Sequence, residues 1–157
     1  MSVEENKSVI QRSYDEFFNT GNLALVDQFH SNDYVGHIPG LPPIQGLEAI
    51  KQLASGYFRA FPDLHITLED MVAEGDKVMT RVSWRGTHRD EFIGIPPTGK
   101  QVTVTGMYEY RIAGGKIAEW WDYSDNLGLM QQLGVVPAPG QVVTSVVLFT
   151  CRQATRQ

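Results

Sequence analysis

The stretch Glu119-Trp120-Trp121-Asp122-Tyr123-Ser124-Asp125 sets carboxylates among aromatic rings. A carboxyl group can take a proton from the carbon beside a carbonyl and deliver one to the accepting oxygen. Held in apolar surroundings its charged form is disfavoured, and its pKa climbs toward the range where transfer in either direction is efficient at neutral pH. The stretch reads as a strand. Counting by two from Asp125 puts Tyr123, Trp121, Glu119 and Ile117 on one face, so the aromatic-rich face expected to line a cavity carries this carboxylate. Asp122 then falls on the other face with Trp120 and Ala118, and only a bulge would exchange the two. Asp125 also stands where an aspartate would cap a helix beginning near Asn126.

Other chemistries find less support. Four histidines lie scattered at 30, 37, 65 and 88, without a paired spacing such as HExxH, and Cys151 stands alone, so no metal is expected. There is no GxGxxG or Walker-type loop, and the Ile93 to Gly99 segment joins strands without opening a helix, so no organic cofactor is expected either. A nucleophile elbow is likewise absent.

The elements that must position these groups follow from periodicity. Ser2 and Glu5 have capping-box spacing, and Ile10, Tyr14, Phe17 and Phe18 recur as one apolar stripe, predicting a helix from about Val3 that ends at Gly21. Asn22 caps a shorter helix through Phe29, 33–38 is extended, and Leu47, Ile50, Leu53, Ala54, Tyr57 and Phe58 define a third helix from Gly46 to about Ala60. After Pro62 the period becomes two. His65 to Val72 pairs with Lys77 to Thr87 across Glu74-Gly75-Asp76, and Val102 to Ile112 pairs with Lys116 to Ser124 across Ala113-Gly114-Gly115. Helices first and consecutive strands afterwards imply an α+β layer arrangement with a largely antiparallel sheet. Asn126 to Leu133 adds a last helical turn or two.

Three segments together resemble the SnoaL-like polyketide cyclases of the NTF2-like superfamily: Phe61-Pro62-Asp63-Leu64-His65, Gly94-Ile95-Pro96-Pro97-Thr98-Gly99-Lys100, and the run from Gly115-Lys116-Ile117-Ala118-Glu119-Trp120-Trp121 to Asp125-Asn126-Leu127-Gly128-Leu129-Met130-Gln131-Gln132-Leu133-Gly134. The resemblance covers about residues 5 to 136. It implies a cone-shaped barrel, a strongly curved and mainly antiparallel sheet wrapped around the N-terminal helices, with an apolar cavity open at one end. It also implies intramolecular aldol chemistry by acid and base residues without metal or organic cofactor. It places the acid/base carboxylate at Asp125, with Asp122 as the alternative, and it matches family histidine positions at His37 and His88. The characterised cyclases carry a further histidine on the preceding strand; Gly106 to Arg111 has none, and Tyr110 is the hydroxyl available to an oxyanion there. Trp84, Trp121, Phe58, Phe61, Met107 and Arg81 are the candidate substrate-binding residues.

Bulk properties narrow the partners. The 157 residues suit one domain, taken as 1–136, followed by a C-terminal extension, 137–157, that either adds a strand through Val142 to Phe149 or stays disordered. A net charge of -5 opposes sequence-independent nucleic-acid binding. No apolar run reaches the 20 or so residues a membrane helix needs, no secretory signal is evident at Ser2 to Lys7, and the single cysteine suits a reducing compartment, so the cytoplasm is the expected location. The expected partners are an apolar small molecule and a second copy of the chain, paired through a sheet face bearing Trp120. Three functions fit this set. The first is a cofactor-independent cyclase or isomerase, the second a non-catalytic binding or assembly module, and the third an epoxide hydrolase using Asp125, Arg81 and Asp63 around a water.

Overall fold

The computed structural model describes residues 2–140; Met1 and the extension from 141 onward, including Cys151 and the expected strand from Val142, lie outside the described residues. Ser2 opens α1 (Val3–Arg12) with a full capping box, its hydroxyl accepting the Glu5 amide while the Glu5 carboxylate receives the Ser2 amide at 2.6 Å. The helix then widens into a π-helical stretch, Ser13–Phe18, whose amide of Asn19 reaches back to the Tyr14 carbonyl at 2.9 Å. Asn22 starts the next turn, and α2 (Val26–Phe29) leads directly into β1 (His30–His37). After β2 (Ile44–Gln45) comes α3 (Gly46–Ala60), as its apolar spacing requires.

Four long strands follow: β3 (His65–Glu74), β4 (Lys77–Thr87), β5 (Gln101–Ala113) and β6 (Lys116–Ser124), with α4 (Asn126–Leu133) closing the described fold. With β1 and β2 these strands form one curved six-stranded sheet in the order β2-β1-β6-β5-β4-β3. Neighbours pair antiparallel except β1 and β6, which run parallel because the chain crosses from one edge to the centre through α3 and the β3–β5 meander. The helices α1 and α3 cover the inner face. On β4 and β5 alternate side chains are buried against them, Val78, Thr80, Val82 and Trp84 on one strand and Val102, Val104, Tyr108, Tyr110 and Ile112 on the other.

One irregularity decides the site. Arg111 pairs with Glu119 but Ile112 pairs with Ile117, so Ala118 is an extra residue on β6. A bulge of this kind shifts which side chains point inward on either side of it. Ile117 faces in before the bulge; Trp120 and Asp122 face in after it.

Candidate active site

A cavity lies between the inner face of the sheet and the helices, with a void of about 710 Å³ including its solvent mouth. The π-helical stretch contributes Tyr14 and Phe18, which are four residues apart, and α3 contributes Ile50, Leu53, Ala54, Tyr57 and Phe58. His30 and Tyr34 come from β1, Ile66 from β3 with Leu64 just before it, and Trp84 from β4. Tyr108 and Tyr110 of β5 meet Ile117, Trp120 and Asp122 of β6. The lining is aliphatic and aromatic around one carboxyl.

Asp122 is 5% exposed. Burial pushes its pKa up, and the hydrogen bonds that Ser124 makes to Oδ1 from its amide (2.8 Å) and its hydroxyl (2.5 Å) pull it partly back. Oδ2 has no protein hydrogen-bond partner among the described residues. The tyrosines around the carboxyl stay protonated, since burial and the nearby Asp122 both raise Tyr14, to about 12, and raise Tyr34, Tyr57 and Tyr108 as well. The Tyr14 and Tyr110 hydroxyls satisfy each other at 2.7 Å, and Tyr14 also meets Thr80 Oγ1 at 3.2 Å. The hydroxyls of Tyr34 and Tyr57 line the cavity with no hydrogen bond among the described residues, which leaves them able to donate to a ligand. His30 packs edge-on against Tyr34, its Nδ1 lies 3.1 Å from the Val26 carbonyl, and burial lowers its pKa to about 4, so it is neutral.

The expected site residues divide between this cavity and the rest of the molecule. Asp122, Tyr110, Trp84 and Phe58 line it. Asp125 does not: it lies one residue past β6, is exposed, and caps α4 by accepting the Gly128 amide at 2.9 Å. The counting by two that placed it inside fails because the bulge at Ala118 exchanges the faces of β6. For the same reason Trp121 is on the outer face, where His37 stacks on it at 4.9 Å and 14°. His37 Nε2 is 2.9 Å from Glu119 Oε1, and Arg111 holds the other oxygen at 3.0 Å. His88 is fully buried behind the cavity wall, stacked on Phe61, and its Nδ1 accepts the Thr98 amide at 3.2 Å, fixing the loop that follows β4. Phe61 belongs to the core with it. Met107 and Arg81 are exposed on the outer sheet face, paired across β4 and β5. Asp63 receives the Thr87 amide and hydroxyl at 2.6 and 2.7 Å at the far end of β4, about 20 Å along the strand from Arg81, so Asp125, Arg81 and Asp63 do not meet around a shared water site. Trp120, expected on a contact face, lines the cavity instead.

Residues that the strand count missed are Tyr14, Tyr34, Tyr57, Tyr108 and His30. Helical spacing with Phe18 and Leu53 marks Tyr14 and Tyr57 as inward, and Tyr108 has the same parity as Val102, Val104 and Tyr110. Among the described residues no group of three or more His, Cys, Asp or Glu is placed to hold a metal, and no helix is long and apolar enough to cross a membrane.

Fold and site together define an α+β fold of the NTF2-like kind, a curved open sheet wrapped around a cavity into which, among the described residues, one carboxyl points. Residues 8–133 match the model of the SnoaL-like polyketide cyclases. The nogalonic acid methyl ester cyclase of Streptomyces nogalater is 32% identical over 120 residues, 74% of this chain and 89% of that protein. The aklanonic acid methyl ester cyclase DnrD of Streptomyces peucetius is 29% identical over 122 residues, 76% of this chain and 84% of that protein. The structure of TsrD from Streptomyces laurentii superimposes with a TM-score of 0.75 at 27% identity, covering 87% of this chain and 99% of that one. The chain belongs to the SnoaL-like polyketide cyclase family.

Proposed function

We propose that the protein is a cyclase acting on an apolar, carbonyl-bearing small molecule, with Asp122 as the acid/base group and no cofactor taking part in proton transfer. The observation that carries this reading is the placement of Asp122, a buried carboxyl with raised pKa facing the cavity beside the unpaired hydroxyls of Tyr34 and Tyr57. Asp122 removes a proton from carbon next to a carbonyl. The enolate carbon bonds to a second carbonyl carbon of the same molecule, and the alkoxide so formed takes the proton back from the Asp122 carboxylic acid. Tyr34 and Tyr57 donate hydrogen bonds to the oxygens on which negative charge develops. The names of the relatives, methyl ester cyclases, support a substrate of this kind.

The test uses aklanonic acid methyl ester as the probe, with product followed by chromatography. Wild type converts it, and Asp122→Asn loses between about a hundredfold and ten-thousandfold in turnover while still binding it. Equal turnover by the two proteins overturns the assignment. Binding without turnover by wild type would make the cavity a binding site alone.

The reading extends to assembly. The outer sheet face exposes Val72, Met79, Met107 and Tyr123 on four adjacent strands, and a second copy of the chain is the partner we assign to it. The flanking charges Lys77, Glu109, Arg111 and Glu119 are paired within the chain, so the apolar strip meets its partner without leaving these ions unmatched.

A further inference from the structure

Asp122 and Ser124 share the inward parity of the last turn of β6, and Ser124 gives the carboxylate both its amide proton and its hydroxyl proton. A serine hydroxyl has one proton to donate. Because that proton goes to Asp122 Oδ1, the 3.1 Å contact between Ser124 Oγ and the Tyr108 hydroxyl runs the other way, with Tyr108 donating. The direction is therefore fixed along the chain, from Tyr108 to Ser124 to Asp122. Gly106 pairs with Ser124 in register, and a Cβ there would lie 3.1 Å from Ser124 Oγ and 3.1 Å from Tyr108 Cε1. A side chain at 106 would press on both links at once.

Resting on the proton-transfer reading above, we propose that Ser124, oriented by Tyr108, is a positioning residue that pins Asp122 Oδ1 and thereby keeps Oδ2 turned toward the bound molecule. A carboxyl free to rotate in an apolar cavity would present either oxygen; one held through two hydrogen bonds presents a single base in a fixed plane. The groups that face Asp122 from the other elements are Tyr14 of the π-helical stretch, Tyr34 of β1, Tyr57 of α3 and Tyr108 of β5, and His30 lines the same cavity. The tyrosines are protonated and the histidine is neutral. Ser124 is thus the group among the described residues that stabilises the charge on Asp122.

The experiment is a pH titration of the full-length chain labelled with 13C at the aspartate carboxyl carbons, the Asp122 resonance being the one missing from Asp122→Asn. In Ser124→Ala the Asp122 midpoint moves to higher pH, Ser124→Thr returns it toward wild type, and Tyr108→Phe moves it upward by less. On aklanonic acid methyl ester, Ser124→Ala loses about tenfold in kcat, the equivalent of one hydrogen bond to a charged group, with KM little changed. The acidic limb of its kcat/KM profile shifts with the carboxyl midpoint. An unchanged midpoint in folded Ser124→Ala overturns the inference, as does a threonine that fails to restore it. If Ser124→Ala does not fold, an unchanged midpoint in Tyr108→Phe overturns it in the same way. Full turnover by Asp122→Asn instead removes the proton-transfer reading, while the midpoints still report whether Ser124 governs the carboxyl.

Discussion

Asp125 Oδ1 accepts the amide of Gly128 at 2.9 Å, and a Cβ added at 128 would run into the same carboxylate. The pair is the start of α4 and stands outside the cavity. Asp125→Ala accordingly costs about 1 kcal/mol of stability, the usual loss of an N-cap. Turnover of the test ester stays at the wild-type level. Thermal denaturation and steady-state kinetics on one preparation check both parts, and a large fall in kcat would return Asp125 to the mechanism.

Asp122 gives a stability effect of opposite sign. Its folded-state pKa is raised, so the folded chain binds the proton more tightly than the unfolded chain does. Its favourable contribution is complete below the unfolded carboxylate value of about 3.9 and is lost as pH rises through the raised native value. Asp122→Asn, which keeps an oxygen to accept from Ser124, is therefore more stable than wild type at pH 7. The gap closes as pH falls toward 4. Denaturant midpoints at the two pH values decide it, and a mutant less stable at pH 7 contradicts the argument.

Tyr34 and Tyr57 separate catalysis from folding. Their hydroxyls make no hydrogen bond among the described residues, so Tyr34→Phe and Tyr57→Phe leave stability unchanged or slightly raised. Each lowers kcat on the test ester about tenfold or more if it stabilises developing charge. A variant with wild-type kcat would remove that tyrosine from the proposed role.

The outer face is tested by placing a charge in the apolar strip. Met107 is 51% exposed and pairs with Tyr123 on the next strand. Met107→Glu converts a dimer to a monomer in sedimentation velocity at micromolar concentration, without loss of helix or sheet by circular dichroism. A wild-type chain that sediments as a monomer removes the second copy as partner.

Much of the architecture was legible because its signals are local. The Ser2 and Glu5 capping box, the apolar spacing of α3 and the glycine turns at 75 and 114–115 each act within a few residues, and each stands where the spacing puts it. Tyr110, Trp84 and Phe58 fell inside for the same reason. What failed was long-range parity. Alternation along β6 is a sound rule only for an uninterrupted strand, and the extra residue at Ala118 is visible only in the pairing of Ile112 with Ile117. Histidine positions carried still less, since His37 is bound to Glu119 and Trp121 and His88 to Thr98 and Phe61, partners 10 to 84 residues distant that no spacing rule reaches.

The bulge also ties together two properties that would otherwise vary independently. Residues beyond Ala118 alternate between the cavity and the outer strip, so one strand writes both the ligand-facing lettering and the assembly-facing lettering in the same line. Loss of Ala118 alone would leave both texts readable, since Ile117 already pairs with Ile112 and Glu119 with Arg111, whereas a one-residue slip of β6 against β5 would transpose them, turning Asp122 and Trp120 outward and Trp121 inward. The unpaired residue at Ala118 therefore absorbs a change of one in length without exchanging the faces, and only a slip in register obliges the chain to rebuild its interior and its partner surface together.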